Sequence, residues 1–581
     1  MRILLHAAAL LLLAAQAPAP FRTLDDRFAP PRFTDRAAWE ERAAYLREHV
    51  LASAGLLPMP ARTPLNPVVF DESKHEGYSV AKVHFESLPG FHVTGNLYRP
   101  VGAGPFPAVL SAHGHWAYGR LENSDLMSGP GRAISLARRG FVVFSHDMIG
   151  YNDSRQLPHT FDGRRERLWG LSLGGLQLWN SMRALDFLES LPYVRKDALG
   201  VTGESGGGTQ TYMVAAADPR VAVAVPVNMV SLLMQGGCLC ENPPGLRLET
   251  TNVELAAAIA PRPLLLVSAT GDWTKETMEV EYPAVRALYA LVGAEDRVRA
   301  VRFDAEHNYN RDSREAMYGW MARWLKNEAS EAPQKEQAFT PDRLPELLVF
   351  HGRSLPDGAL TPEGLTASWI ASARRQLGET PLAVRAAALR HALAFVAQMK
   401  TPAPPSRASR RRPVVLTAGI APDVERALQR AGYTLRAVAF TPFDEAAAAK
   451  VNHFETYNRT PASQRVADLV AALRANPGAV LVASGDAALA GALASAIEPP
   501  RLAVLDAEGF DTSRDEDFLG RLYIPGLRRA GDLRTASEMA PGRLVIHNAG
   551  AAFDAPGARV QAAALAPAEI VKLIRQARER R

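Results

Sequence analysis

Short apolar runs alternate with helical segments between residues 78 and 304. The runs are rich in Val, Leu and Phe, and most are apolar throughout rather than at every second position. A continuous apolar run is typical of a parallel strand covered on both faces. The sequence therefore predicts an α/β domain with a mostly parallel sheet. The predicted strands are Tyr78–Glu86, His92–Tyr98, Pro107–Ala112, Phe141–His146, Leu199–Thr202, Val221–Val227, Leu264–Ser268 and Arg299–Asp304.

A helix and a proline-rich connector precede this sheet. Apolar residues recur at helical spacing over 35–54, with Thr34 or Asp35 as the N-cap and Gly55 as the terminator. Four prolines between residues 58 and 67 then favour an extended chain. We therefore predict an N-terminal helical extension over 20–64 and the α/β domain over 65–330.

A second α/β pattern follows a polar break. Helix-forming residues occupy 362–400, and a Pro/Ser/Arg-rich stretch over 401–412 is typical of a linker. Residues 331–412 are predicted to form a helical connector and linker, and residues 413–581 a C-terminal α/β domain. Its predicted strands are Val414–Thr417, Ala479–Ser484, Leu502–Asp506 and Leu544–His547.

The first residues resemble a targeting segment. Arg2 precedes an apolar run over 3–15 that is followed by small residues and prolines. This run is shorter than the roughly 20 residues that a membrane span needs, and its pattern is typical of a secretory signal peptide. We predict a signal peptide over 1–17, cleaved near Ala15 or Ala17, with a buried N-terminal helix as the alternative. The protein is expected to be exported (periplasmic or secreted) and to have no later membrane span.

Composition narrows the class of protein. The 581 residues are 47% apolar and 22% charged, which indicates a globular chain. The net charge of +5 lies in residues 401–581, partly at the terminal arginines, and is typical of a solvated tail rather than of a nucleic-acid-binding surface. The two cysteines, Cys238 and Cys240, have a spacing that suits neither an ordinary disulfide nor a four-ligand zinc site.

A nucleophile motif follows one of the predicted strands. Gly203-Glu204-Ser205-Gly206-Gly207 matches G-x-S-x-G between an apolar strand and a helix that begins near Thr209. Small residues on either side allow the sharp turn that exposes the serine hydroxyl at the carboxyl edge of the sheet. The alternative is a glycine-rich turn that binds an anion or nothing.

An acid and a base follow two later strands, in the order expected of a serine hydrolase. Asp272 comes directly after one strand, and His307 lies in the loop after the next. Asp272 is preferred to Glu306 as the acid because Glu306 adjoins the base. The sequence thus predicts a triad of Ser205, His307 and Asp272 in the domain over 65–330.

An oxyanion hole requires two backbone N–H donors. The predicted donors are Gly206, which follows the nucleophile, and His115 or Trp116 in the loop after the strand Pro107–Ala112. Metal binding by His113 and His115 is the alternative, but no Asp, Glu or His cluster nearby in the sequence completes such a site. No metal and no cofactor are therefore predicted.

Further residues are predicted to surround the substrate. Asp147 and Tyr151 follow a strand that ends at the same edge of the sheet, and Trp273 adjoins the acid. The loop over 236–242, which contains both cysteines, is a candidate wall of the site. No role follows from the sequence for the two thiols.

The two α/β regions show a faint internal similarity. Aligned by their strands, the second copy reads Val482-Ala-Ser-Gly-Asp486, which places Asp486 where Ser205 stands in the first. Duplication and chance explain this similarity equally well. The C-terminal domain is therefore predicted to be non-catalytic, packing on the first domain or binding glycan.

The residues of the predicted site resemble a known family. Ser205, Asp272 and His307, together with the loop over 113–116, look like those of an α/β-hydrolase. The segments 85–90, 95–100, 203–208 and 237–242 resemble exported bacterial acetyl xylan esterases, related to cephalosporin C deacetylases and dienelactone hydrolases. The C-terminal domain resembles a degenerate hydrolase domain.

This resemblance covers roughly residues 36–330 and implies a serine carboxyl-ester hydrolase that needs no cofactor and removes acetyl groups from carbohydrate. Its implied substrate is a small ester or an acetylated oligo- or polysaccharide. The chain departs from the family at one position: deacetylases of that branch usually carry Gln beside the nucleophile, and this chain has Glu204. The resemblance therefore leaves the acyl group and the polymer open. The alternatives are a peptidase of the prolyl-oligopeptidase type, or a glucuronoyl or feruloyl esterase.

Overall fold

The computed structural model describes residues 21–394 and 413–579. The predicted signal peptide and the Pro/Ser/Arg-rich part of the linker lie outside these residues. Within them, no helix combines the length and the apolar character that crossing a membrane requires.

The first sheet has nine strands in the order β1-β2-β3-β5-β4-β6-β7-β8-β9. The pairings β1–β2, β2–β3 and β3–β5 are antiparallel, and the other five are parallel. The prediction of a mostly parallel sheet is therefore confirmed. The strands are β1 Val68–His75, β2 Tyr78–Leu88, β3 Phe91–Pro100, β4 Phe106–Ser111, β5 Val142–His146, β6 Val194–Glu204, β7 Val221–Val227, β8 Leu264–Ala269 and β9 Val298–Phe303.

Helices cover both faces of this sheet. Neighbouring residues of a strand point to opposite faces, so each strand packs against both layers of helices. Leu110 packs in a core cluster with residues of α1, α4 and α5, whereas Val109 packs in another with residues of α2 and α8. The helices up to the linker are α1 Arg36–Ser53, α2 Gly129–Arg138, α3 Arg164–Leu168, α4 Leu173–Ser190, α5 Gly206–Ala217, α6 Asn252–Ala257, α7 Tyr282–Leu291, α8 Arg311–Leu325, α9 Leu344–Leu347, α10 Pro362–Glu379 and α11 Leu382–Ala392.

The predicted N-terminal helix is present as α1. Asp35 is its N-cap, since its side chain accepts a hydrogen bond from the backbone N–H of Ala38. Gly55 follows the helix with φ 70°, a conformation that glycine adopts without steric cost.

One strand of the first sheet was not predicted from the sequence. β1 is the edge strand of the first sheet, and its register against β2 shifts between Phe70 and Ser73, where Asp71 has φ 49°. Most of its residues are exposed or half-buried, so it lacks the apolar run by which the other strands were found.

The second sheet has six parallel strands in the order β11-β10-β12-β13-β14-β15. The predicted C-terminal α/β domain is therefore confirmed. Its strands are β10 Val415–Ala418, β11 Leu435–Ala437, β12 Val480–Ser484, β13 Leu502–Asp506, β14 Leu544–His547 and β15 Arg559–Val560. Its helices are α12 Pro422–Arg430, α13 Glu445–Ala448, α14 Phe454–Tyr457, α15 Pro461–Ala475, α16 Asp486–Ile497, α17 Asp515–Arg521, α18 Asp532–Met539 and α19 Pro567–Glu579.

The two domains pack against each other through polar and apolar contacts. Asp515 of α17 accepts hydrogen bonds from Arg165 and from the indole N–H of Trp169, at 2.8 and 3.0 Å. Tyr457 of α14 is buried in the core cluster of the first domain. The expectation that the C-terminal domain packs on the first is therefore confirmed.

Candidate active site

Ser205 lies in a strained turn between a strand and a helix. β6 ends at Glu204 and α5 begins at Gly206, and Ser205 between them has φ 55° and ψ −122°. A positive φ is costly for a residue with a side chain and is sparsely populated outside functional sites. The turn leaves the Ser205 side chain half-buried at the carboxyl edge of the sheet.

Close packing explains the glycines around Ser205. A Cβ on Gly203 would lie 2.6 Å from the carbonyl oxygen of Gly207, and one on Gly207 would lie 2.8 Å from that of His113. Both contacts are with backbone atoms, which cannot rotate away. A strand that turns through this bend into a helix is the nucleophile-bearing unit of the α/β-hydrolase fold. The first domain has that fold.

His307 and Asp272 meet at the same edge of the sheet. Nδ1 of His307 lies 2.8 Å from Oδ2 of Asp272, whose side chain is 2% exposed. The other carboxylate oxygen of Asp272 accepts hydrogen bonds from the backbone N–H and the hydroxyl of Thr274, at 2.7 and 2.5 Å. With Asp272 fixed in this way, Nδ1 of His307 carries the proton and Nε2 carries the free lone pair.

Two indole rings flank the imidazole of His307. The centroid of the Trp273 ring is 4.5 Å from that of His307, and the Trp116 ring stacks at 6.5 Å with an interplanar angle of 15°. The described residues provide no hydrogen-bond partner for Nε2 of His307 or for Oγ of Ser205. In particular, no hydrogen bond joins these two atoms.

The loop after β4 approaches the Ser205 turn. A Cβ on Gly206 would lie 2.7 Å from Cε1 of His115, and one on Gly114 would lie 3.0 Å from Cβ of Ser205. Within the described chain, the backbone N–H groups of Gly206, His115 and Trp116 have no hydrogen-bond acceptor. Unpaired donors beside the nucleophile are what an oxyanion hole requires.

Glu204 fastens this loop, a role that the sequence did not reveal. One of its carboxylate oxygens accepts hydrogen bonds from the backbone N–H of Gly114 and the indole N–H of Trp116, at 2.7 and 2.9 Å. The other pairs with Arg132 of α2 at 2.8 Å, and neither side chain is exposed. The glutamate at the variable position of the motif was the only signal, and nothing marked Arg132 as its partner.

The prediction that Asp147 contacts substrate is wrong. Its side chain is fully buried and is engaged by Arg120 at 3.3 Å, by the hydroxyl of Thr94 at 2.7 Å and by Asn152 at 2.9 Å. Burial raises the pKa of Asp147 to about 6, although the Arg120 guanidinium opposes this shift. Asp147 lies near the site because it follows β5 at the carboxyl edge of the sheet, but its side chain points into the protein interior.

Tyr151 and Trp273 lie close to the predicted site. The ring of Tyr151 is half-buried and meets the rings of His113, His115 and His159 edge-on, at centroid distances of 5.3, 6.4 and 5.0 Å. The half-buried Trp273 contacts His307, as described above. Contact of either residue with a substrate stays a prediction.

His113 has a structural environment. Its Nδ1 is 2.7 Å from the carbonyl oxygen of Gly114, and its Nε2 accepts a hydrogen bond from the backbone N–H of Met148 at 2.9 Å. The ring is fully buried, and burial lowers its pKa well below the ordinary value. His113 is thus a neutral residue that connects the loops after β4 and β5.

Folding brings a group of possible metal ligands around His115 that are not close to it in the sequence. His115, His159, Cys238 and Cys240 each offer a ligand atom, and the four atoms lie within 4.8 Å of one another. Both cysteines are free thiols. This cluster could not be found from the sequence, because His115, His159 and the cysteines come from three loops that are distant along the chain.

The second sheet repeats the Ser205 turn without a serine. β12 ends at Ser484 and α16 begins at Asp486, and Gly485 between them has φ 63° and ψ −137°. Gly485 is therefore the counterpart of Ser205, and the alignment that assigned this place to Asp486 is off by one residue. The same turn is present in the C-terminal domain, with a glycine at the position that Ser205 occupies in the first domain.

Known proteins show similarity to this chain. It is 29% identical over 238 residues to YtaP of Bacillus subtilis (strain 168), whose name describes a hydrolase, with 38% of this chain and 80% of YtaP covered. The solved structure of methylesterase BT1017 has a TM-score of 0.49 and 28% identity, covering 60% of this chain and 78% of that one.

A structure from Bacteroides fragilis NCTC 9343, described as an acetyl xylan esterase, has a TM-score of 0.40 and 19% identity. The match covers 48% of this chain and 79% of the B. fragilis chain. No family model matches.

Proposed function

We propose that this protein hydrolyses carboxylic esters through an acyl-enzyme formed on Ser205. The observation that carries the proposal is the combination of Ser205 in a positive-φ turn with a His307 that is oriented by a buried Asp272 at the same edge of the sheet. A hydroxyl needs an adjacent base to become a nucleophile, and the base needs an acid that fixes its tautomer.

The reaction proceeds in two steps. Oγ of Ser205 attacks the carbonyl carbon while Nε2 of His307 takes its proton, and the oxyanion accepts hydrogen bonds from the N–H groups of Gly206 and of His115 or Trp116. The carbon–oxygen bond to the alcohol breaks, and the alcohol leaves with the proton from His307. Water then attacks the acyl-enzyme by the same route, which releases the acid and restores Ser205.

The substrate class that we propose is acetylated carbohydrate. Support comes from the resemblance of the chain to exported acetyl xylan esterases, and the similar structure from B. fragilis is described in the same terms. Export itself rests on residues 1–17 and stays a prediction.

The decisive experiment combines labelling with turnover. An organophosphonate probe should attach to Ser205 in the purified full chain, as read by peptide mass spectrometry. Ser205→Ala should lose both the label and the hydrolysis of an aryl acetate while keeping its circular dichroism spectrum. Ser484→Ala, which removes the serine next to the corresponding turn of the second domain, is the matched control and should keep both. Label on another residue, or unchanged turnover in Ser205→Ala, contradicts the proposal.

A substrate panel separates the proposed activity from its alternatives. Acetylated xylo-oligosaccharides should be turned over faster than a glucuronoyl ester, a feruloylated oligosaccharide or a prolyl-arylamide. Preference for one of the last three would assign the chain to that alternative and leave the role of Ser205 intact.

A further inference from the structure

We propose that His115, His159, Cys238 and Cys240 bind one zinc ion in a closed, four-coordinate site beside the Ser205 turn. The four side chains supply two imidazole nitrogens and two thiol sulfurs, and within the described residues they form one compact group. Two nitrogens and two sulfurs in tetrahedral arrangement are a typical ligand set for structural zinc. The proposal does not depend on the proposed ester hydrolysis.

The distances fit such a site. Nε2 of His115 lies 3.2 Å from Sγ of Cys240, and Nε2 of His159 lies 3.3 Å from Sγ of Cys238. Tetrahedral zinc with bonds of about 2.3 Å to sulfur and about 2.0 Å to nitrogen separates its ligand atoms by roughly 3.3–3.8 Å. These two distances are close to the tetrahedral values, and all four ligand atoms lie within 4.8 Å of one another, so closing around an ion requires side-chain shifts of up to about 1 Å.

The groups behind the cluster orient its ligands. Nδ1 of His159 lies 2.6 Å from the carbonyl oxygen of Ile149, which keeps the proton on Nδ1 and leaves the Nε2 lone pair directed at the cluster. A metal-binding histidine commonly donates its second N–H to a backbone carbonyl in this way. The thiol of Cys240 is buried, and that of Cys238 is half-buried.

The loop that carries the two cysteines is held in shape by its own hydrogen bonds. The carboxylate of Glu241 accepts hydrogen bonds from the backbone N–H groups of Gly237 and Cys238, at 2.8 and 3.0 Å. Asn242, the next residue, is bonded to Arg247 and to Tyr457 of the C-terminal domain, at 2.8 and 3.0 Å. These hydrogen bonds hold the loop so that both thiols face the two histidines.

The location of the cluster suggests its role. His115 follows β4, His159 follows β5 and the cysteines follow β7, so one ion would connect three loops at the carboxyl edge of the sheet. His115 also belongs to the loop with the candidate oxyanion donors and approaches Gly206 closely. Four protein ligands leave no open coordination position, so the ion would fix loops rather than activate water. On binding, the thiols release their protons to solvent.

Metal content is the direct test, and it requires no substrate. The full chain, purified without chelators and dialysed against zinc chloride and then metal-free buffer, should retain about one zinc ion per molecule by elemental analysis. Cys238→Ser/Cys240→Ser should retain less than about a tenth of that amount. His351→Ala, which removes an exposed histidine outside the cluster, should retain the wild-type amount.

A second measurement remains informative if the double variant does not fold. Cobalt bound to wild type should give the absorption of a tetrahedral ion and a thiolate-to-metal charge-transfer band. His159→Cys provides a third sulfur, so it should still bind cobalt and should show a stronger charge-transfer band.

Two outcomes would overturn the proposal. One is a wild-type chain that retains no zinc and shows no charge-transfer band with cobalt. The other is thiol titration and mass spectrometry showing that Cys238 and Cys240 form a disulfide in the purified chain under non-reducing conditions and still do so after incubation with zinc. Loss of ester hydrolysis alone decides neither, because Ser205→Ala should remove activity and keep the zinc.

Discussion

The guanidinium of Arg132 and the carboxylate of Glu204 form a salt bridge of 2.8 Å, and neither side chain is exposed to solvent. Removing one partner of a buried pair leaves the other charged and unpaired, which costs about 3–5 kcal/mol. We therefore expect Glu204→Gln to lower the apparent stability of the first domain by that order, as read by urea unfolding followed by tryptophan fluorescence.

An exposed pair is the control for this prediction. Arg36 and Glu40 are also 2.8 Å apart, but their side chains are 64% and 49% exposed. Glu40→Gln should change stability by less than about 1 kcal/mol. Equal unfolding midpoints for wild type and Glu204→Gln would show that Arg132 does not need its partner.

Gly207→Ala should reduce catalysis more than stability. The added Cβ would lie 2.8 Å from the carbonyl oxygen of His113, so the loop that carries the candidate oxyanion donors must move. Loss of one such donor lowers kcat by roughly 100-fold or more, and steady-state kinetics on an aryl acetate would show it. Gly378→Ala, in an exposed helix position with no atom within 4 Å, should leave kcat unchanged. A Gly207→Ala enzyme with wild-type kcat would rule out this movement.

Asp515→Ala should weaken the junction between the domains. Its carboxylate accepts hydrogen bonds from Arg165, Trp169 and Arg528, and the side chain of Arg528 is 8% exposed. Arg528 would keep its longer pair with Asp532, at 3.6 Å, and its hydrogen bond to the carbonyl oxygen of Thr512, so losing its closest carboxylate costs on the order of 2 kcal/mol. Differential scanning calorimetry should show the C-terminal domain melting earlier and separately from the first.

The matched control for this junction is Asp554→Ala, at an exposed pair with Arg534. It should leave the thermogram unchanged. Coincident melting of the two domains in Asp515→Ala would mean that apolar contacts, such as those of Tyr457, suffice to couple them.

Acid should loosen the contact between α1 and α11 through His49. Its ring is buried against Tyr45, His391 and the carbonyl oxygen of Gly245, with Arg42 nearby. Burial, reinforced by the charge of His391, lowers the pKa of His49 to about 3. The unfolded chain therefore binds more protons than the folded chain between about pH 6.5 and pH 3, and stability falls as the pH drops through this window.

The expected loss is about 2 kcal/mol between pH 7 and pH 5, since each pKa unit corresponds to about 1.4 kcal/mol. His49→Gln cannot be protonated, so its apparent melting temperature should fall less than that of wild type over this range. The same fall in both proteins would mean that His49 does not control this transition.

Eight of the nine strands of the first sheet could be predicted from local sequence, and so could the positions of Ser205, Asp272 and His307 relative to those strands. Continuous apolar runs identify buried parallel strands, and each of the three residues directly follows such a run or lies within its loop. The ends of the strands differ from prediction by a few residues; β6, for example, begins at Val194 rather than Leu199.

The failures concern relationships that no local pattern encodes. Asp147 stands at the correct edge, but the direction of its side chain depends on Arg120, which comes from another loop. The turn at Gly485 was misplaced by one residue because a glycine and an aspartate both fit the end of a strand in sequence, whereas only backbone angles distinguish them. His159 and the cysteines are joined by tertiary folding alone.

The register shift in β1 has a consequence for how copies of this protein meet. An uninterrupted outer strand offers a row of free amide and carbonyl groups on which the strand of another molecule can align. The shift between Phe70 and Ser73 breaks that row, and Asp71, Glu72 and Lys74 place charges along it. Edge-to-edge pairing of this strand with a strand of another molecule is thereby disfavoured, even though Val68 and Val69 are exposed at the start of the strand.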